Sequence, residues 1–370
     1  MNKVYQRWVL SFLAALLFLL MLCASTVYIV DPCLYFRMPK HWKPVFFNER
    51  YQAAGIIKHV PADTVLMGTS MVANTRASAA AEAFGGTAIR ITIPDGRFSE
   101  FDQAVNLLFR EQAPERLVFG IDLNILVRDD GGKTAAMPGY LYNRNPLDDL
   151  KYLLNKDALY YSAYVLLSNA QGNAQPIDDA FIWTDGTVWE RYEALRMYER
   201  PRASSNILPQ DTYLSAVDRN LAIMESWFQA HPSVEFDLFF SPYSILFWDK
   251  SIRQGDLDAR FAALKRSCEV LTAYENVRLY GLLFDREFIT DLDNYCDYVH
   301  HSGEAGRQVL EKIAFGNHRL TAENMNEALA DWREFVVNYD YESLWDQAFW
   351  ERWYKGHDEP PAWLEKEENR

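Results

Sequence analysis

Two kinds of hydrophobic pattern divide this chain, and they predict different elements. The first is unbroken: Trp8 to Val30 (WVLSFLAALLFLLMLCASTVYIV) is 23 residues without a charged side chain. As a helix rising about 1.5 Å per residue it reaches roughly 34 Å, enough for a hydrocarbon core of about 30 Å. The second is periodic. Short apolar runs at Asp63–Met67, Ala88–Ile93, Leu117–Ile125, Glu235–Ser241 and Val277–Leu283 predict five strands. Helical spacing fills the intervals: an Ala-rich stretch to Phe84, then Phe98–Gln112, Tyr213–Ala230, Leu257–Tyr274 and Gly303–Phe315. Alternation of this kind predicts an α/β fold, a three-layer α/β/α sandwich around a five-stranded parallel sheet, doubly wound and preceded by one transmembrane helix.

The pattern also sets expected boundaries. Residues 1–30 are a cytoplasmic leader and anchor. Residues 31–60 read as a membrane-proximal linker rich in Pro, aromatic and basic side chains. Residues 61–320 form the α/β domain, interrupted at 127–212 by an insertion with two aromatic helical runs and a loop around Trp183. Residues 321–370 are a helical tail rich in Trp and Tyr (WREFVVNYDYESLWDQAFWERWY). Its aromatics are expected to pack across the body, with a partner-binding face as the alternative.

Charge sharpens the membrane assignment. Lys3 and Arg7 are the only charges before Asp31, so the net −14 of the chain becomes −16 beyond the apolar run. Basic residues ahead of the run keep the N-terminus in the cytoplasm and send the body across the membrane. A cleaved signal peptide is the competing reading, with Cys23-Ala24-Ser25 as a passable cleavage site. Its apolar region should span only about 7–15 residues, whereas this one continues to Val30. Leu20–Cys23 resembles a bacterial lipobox, but Leu22 stands where a small residue is needed. An acidic body of this size argues against a nucleic-acid module, which would turn a basic face to phosphates. Hydrophobic residues at 49% exclude a disordered chain. Cys33, Cys268 and Cys296 lie beyond the anchor, which allows at most one disulfide there. With no CxxC or Cys/His cluster, neither a structural metal site nor a cofactor is expected.

Three loops carry candidate chemistry, because ligands in a doubly wound sheet sit beyond the carboxyl ends of the strands. Gly68-Thr69-Ser70 follows the first predicted strand and opens a helix, whose free N–H groups favour a developing oxyanion. Ser70 can equally be a plain helix cap. Pro94-Asp95-Gly96 follows the second strand, where Gly96 lets the backbone approach a ligand and offer its N–H. After the fifth, Asp297 and His300 stand i, i+3 in DNYCDYVHH. The carboxylate can take the imidazole Nδ1–H and leave Nε2 to accept a serine proton. His301 with Asp297 and Asp293 gives a weaker metal reading, since adjacent histidines do not readily share one site.

Together these residues resemble the SGNH (GDSL-type) hydrolase family, over roughly residues 60–315. Ser70 stands at that family's nucleophile block, Gly96 at its second block, and Asp297 and His300 at the last. The resemblance implies a flavodoxin-like sheet, Ser70, His300 and Asp297 as candidate catalytic residues, and Gly96 as an oxyanion donor. The family's third block is Gly-x-Asn-Asp, but here Gly120-Ile121-Asp122-Leu123-Asn124 puts Asp122 in the place of the Asn. Asn124, two residues on along a strand, would point the same way and is the expected substitute. Thr69 also replaces the Asp that often precedes the serine.

The anchor and these departures resemble the membrane-anchored branch of bacterial envelope polysaccharide systems. That branch includes the D-alanyl transfer protein of teichoic acids and the acetyltransfer proteins of alginate synthesis. It implies a single-pass protein of the bacterial inner membrane whose domain faces the periplasm or the outside. The expected activity is that of a serine esterase or O-acyltransferase, acting on acyl groups, acetyl foremost, of a cell-envelope or exported polysaccharide. The expected partners are a glycan or acyl donor and a membrane-bound O-acyltransferase, with Tyr140, Tyr142 and Trp183 as sugar-stacking candidates. The alternative is a non-catalytic scaffold of the same fold that binds glycan or the acyltransferase complex.

Overall fold

A computed structural model describes residues 3–129, 137–183, 186–357 and 359–365. Parts of the expected insertion (130–136 and 184–185) and of the tail (358 and 366–370), with leader residues 1 and 2, lie outside the described residues. The chain divides into two compact units. One comprises Met1–Ala62, Gln103–Ala113 and Ala135–Phe181; the other comprises Asp63–Asp102, Pro114–Thr134 and Ile182–Arg370.

The first unit carries the apolar helix, Lys3–Val30, long and apolar enough to cross a membrane and almost bare of protein along its length. Only its end is covered: Val27 and Val30 are buried, and Val30 packs with Val45 and Val165. The chain then turns sharply, with Asp31 and Leu34 at positive φ. Asp31 is buried and holds the turn, accepting N–H bonds from Tyr35, Phe36 and Arg37 and the hydroxyl of Tyr152. The segment read as a linker is therefore folded here. It contains a helix, Glu49–His59, capped by Asn48. From within that helix, buried Gln52 reaches back to bridge the carbonyls of Pro32 and Val45.

The second unit is a three-layer α/β/α body around a largely parallel sheet. Its strands are β1 (Thr64–Gly68), β2 (Ala88–Thr92), β3 (Arg116–Ile121), β4 (Glu235–Phe240), β5 (Val277–Tyr280) and β6 (Arg319–Leu320), in the order β2-β1-β3-β4-β5-β6. The first five are parallel. β6 is a two-residue antiparallel addition on β5, too short to leave a hydrophobic signature. β1 is buried throughout, and β3 and β4 beyond their first residue, which explains why they read as continuous apolar runs. On one face Phe119 of β3 meets Phe98, Phe101 and Trp227.

Two predicted strand ends are too long. β3 stops at Ile121 because Asp122 caps a short helix, Leu123–Leu126, and β5 gives way to a 3₁₀ turn at Leu282–Phe284. A helix at Ile245–Gln254, between Ser244 and a left-handed Gly255, was not among the expected elements. The aromatic tail is part of the body. Trp332 of the helix Met325–Asn338 packs on Trp248 and Phe284, and Trp345 lies on Tyr198 and the Arg200 guanidinium.

Candidate active site

The chain leaves β1 for β2 on one side and later places β3 on the other, so a crevice opens at the carboxyl ends of β1 and β3. Ser70 lies there, as the first residue of a 3₁₀ turn, Ser70–Val72. The turn is fixed by Thr69, whose hydroxyl accepts the Met71 N–H and donates to Asp122 Oδ2 at 2.8 Å. Asp122 is thus a hub at the end of β3. It also caps the N–H groups of Asn124 and Ile125 and takes the hydroxyl of the fully buried Tyr243.

The segment after β5 brings the other partners. Tyr295 and His301 form an antiparallel bridge that closes the loop around Asp297–His300. Tyr295 is buried and donates to the Pro242 carbonyl, while Ser244 donates to that of Tyr298, which ties the loop to the end of β4. The following helix, Gly303–Ala314, comes unusually close to the segment after Ser70. A Cβ on Gly303 would stand 2.4 Å from the Asn74 carbonyl oxygen, and one on Gly306 would collide with Thr75.

These constraints bring three of the sequence-predicted residues together. Ser70 Oγ is 2.9 Å from His300 Nε2, and His300 Nδ1 is 2.7 Å from Asp297 Oδ2. Asp297 Oδ1 accepts the N–H groups of Val299 and His300. Burial works to raise the Asp297 pKa, but its bonds to His300 and to these amides outweigh it and hold the carboxyl below its ordinary value. Trp183 meets the His300 ring edge-on at 4.7 Å, and its backbone N–H donates to Asn74 Oδ1. A hydroxyl, an imidazole and a carboxylate in series can pass a proton from oxygen to ring while the carboxylate steadies the charge that results.

The expected oxyanion donors fare differently. The Gly96 N–H is turned back on the Ile93 carbonyl at 2.9 Å, closing a turn in which Asp95 has positive φ. Glycine is needed there because a Cβ would meet that carbonyl at 2.6 Å. Asn124 lines the crevice, although it sits in the short helix and not on a strand as expected. Arg260 donates to its Oδ1 at 3.2 Å, which leaves the Nδ2 donors without a partner among the described residues. Of the stacking candidates, Tyr142 is buried in the first unit with its hydroxyl on the Arg50 carbonyl, and Tyr140 belongs to that unit too. His301 is buried, its Nδ1 by the Ser302 carbonyl, and no metal-holding cluster occurs among the described residues. All four cysteines are unpaired.

Sequence reasoning overlooked Tyr243, Lys250 and Asn74. The first two follow β4, and the strand-end rule applied to Ser241-Pro242-Tyr243-Ser244 would have found that loop. The crevice has a volume of about 540 Å³ and includes Ser70, Asn124, Arg128, Lys250, Tyr298 and His300 in its wall.

No family model matches the chain, and no curated protein matches it. One solved chain, described as "The structure of a putative platelet activating factor from Streptococcus pneumonia", is similar at 14% sequence identity. The match covers 72% of this chain and 88% of that one, with a TM-score of 0.37.

Proposed function

We propose that this protein is a membrane-anchored serine esterase or O-acyltransferase of the SGNH type. In this reading it removes or transfers acyl groups, acetyl foremost, on a cell-envelope or exported polysaccharide. The observation that carries the reading is the series Ser70 Oγ, His300 Nε2, His300 Nδ1 and Asp297 Oδ2, at 2.9 and 2.7 Å. Ser70 Oγ attacks the acyl carbonyl as His300 Nε2 takes its proton. The tetrahedral intermediate collapses, the ester C–O bond breaks, and the imidazolium returns the proton to the departing alcohol. A sugar hydroxyl or water then attacks the acyl-serine with His300 again as base, releasing Ser70. Asn124 Nδ2 is the side-chain donor assigned to the oxyanion, oriented by Arg260. The domain works outside the cytoplasm of a bacterium, held to the inner membrane by Lys3–Val30, beside a membrane-bound O-acyltransferase that supplies or receives the acyl group.

A second reading has its own support: the engaged Gly96 amide and Asp122 in the Asn position favour a scaffold that binds glycan without turnover. A fluorophosphonate serine probe separates the two. On full-length protein in detergent, the catalytic reading expects stoichiometric labelling, none in Ser70→Ala and labelling slowed by roughly 10²-fold or more in His300→Gln. Absence of labelling under conditions that label a control esterase selects the scaffold.

A further inference from the structure

The first unit turns large apolar residues outwards. Along its helix Lys156–Gln171 the buried positions Ala158, Ser162 and Val165 are small. On the other side of the same helix Tyr160, Tyr164 and Leu167, spaced i, i+4, i+7, are exposed, Leu167 by 61%. A helix on a soluble core does the reverse and buries its large apolar stripe. Small residues inward and large ones outward is the pattern of helices surrounded by lipid. From Ala158 to Ile177 no side chain is charged. Just ahead of the helix, Leu150 and Leu154 are exposed as well.

The position of this helix says what covers that face. It packs on the end of the membrane-length helix Lys3–Val30, where Val165 meets Val30. Protein cover on Lys3–Val30 begins at the partly buried Cys23, roughly 10 Å before Val30, so its neighbours lie where the span leaves the hydrocarbon. Trp42 packs on the same Val30, Val45 and Val165 cluster, and the Arg37 guanidinium lies 4.2 Å over the Tyr28 ring and donates to the Tyr28 carbonyl. Both are side chains suited to the membrane–water boundary. Lys40, His41 and Lys43 are exposed beside them, in a stretch from Pro32 to Asn48 without an acidic residue. The Asn169 side chain clamps the Lys43 backbone to the helix at 2.8 and 3.0 Å, and Lys40, Lys43 and Gly172 wall a cavity of about 410 Å³. We infer that the first unit is seated in the leaflet from which Lys3–Val30 emerges. Tyr160, Tyr164 and Leu167 enter the boundary between acyl chains and headgroups, and Lys40 and Lys43 meet the phosphates of anionic phospholipid. The occupant is the bilayer because the apolar face is continuous with the span and ends in cations at headgroup level. The inference rests on the anchor proposed above and uses none of the Ser70 chemistry.

Photo-crosslinking tests it on full-length protein reconstituted in vesicles of phosphatidylcholine, alone or mixed with phosphatidylglycerol. A benzophenone amino acid is placed at Tyr164 or at Leu167, exposed positions where it does not disturb the packing. The expected result is lipid adducts from both positions. In mixed vesicles phosphatidylglycerol should exceed its share of the bilayer among the adducts by roughly fivefold. That excess disappears when Lys40→Gln and Lys43→Gln are combined, and it survives the two corresponding Arg substitutions. Protein that stays with the vesicles through a carbonate wash yet gives no lipid adduct overturns the inference and leaves the anchor standing. Adducts whose composition is unchanged by the paired Gln substitutions overturn the role of the lysines. In native membranes, adducts to another protein in place of lipid overturn the bilayer as occupant. Release of the protein by the wash overturns the anchor and this inference together, while labelling of Ser70 is judged separately.

Discussion

His300 has an oxygen on each side, and the two contacts ask different things of it. Asp297 takes the Nδ1–H and thereby fixes the tautomer, which leaves Nε2 as the acceptor facing Ser70. The neighbouring His301 has no such support. It is buried beside His300, and burial pushes its pKa down to about 4 from an ordinary value of 6.5. Between those values the unfolded chain binds a proton that the folded chain refuses, so stability falls as pH drops from about 6.5 to about 4. Urea midpoints at pH 7 and pH 4.5 should therefore converge more closely in His301→Gln than in the native protein, and an equal loss in both would remove His301 as the cause. At this scale the sequence was readable where chain order alone fixes a residue's place: Ser70 after β1, Asp297 and His300 after β5. It was unreadable at Gly96, because a glycine after a strand serves a tight turn as well as a ligand, and only the Ile93 bond distinguishes them.

Elements decide whether these residues meet. The loop bearing Asp297 and His300 reaches Ser70 because the helix that follows, Gly303–Ala314, presents Gly303 and Gly306 to Asn74 and Thr75. Alanine favours helix over glycine by about 1 kcal/mol, so propensity alone predicts that Gly303→Ala stabilises. The 2.4 Å approach to a backbone carbonyl predicts the reverse: a loss of about 1–3 kcal/mol in denaturant unfolding, accompanied by slower Ser70 labelling. A more stable variant with unchanged labelling would contradict this packing account. The apolar runs revealed the five parallel strands, since strands buried on both faces need them. They did not reveal that β3 ends at Ile121, because Leu123 and Ile125 prolong the apolar signal into a helix. The cap that stops the strand is a single Asp122 side chain. The close helix approach was equally hidden, for two small residues say nothing of what lies across from them.

For the whole molecule, the charge pattern and the fold point to an acidic body on a membrane tether. The signal-peptide alternative can be tested on the native protein. Val27 and Val30 are buried and Asp31 organizes the turn beyond them, so the last turns of the helix belong to the folded first unit. Intact mass should therefore include residues 1–30, and the protein should resist carbonate extraction from membranes; the outward orientation proposed above further predicts that protease added outside spheroplasts digests the body. A mature N-terminus near Ser25, or release into the soluble fraction, would contradict the anchor. The central claim is that Ser70 carries an acyl group between donor and acceptor, and peptide mapping after brief exposure to an activated acetyl ester tests it most directly. The account predicts one acetyl group on the peptide containing Ser70, lost on adding an acceptor or on standing and absent in Ser70→Ala. Acetylation elsewhere alone, or an unchanged yield in Ser70→Ala, would contradict it.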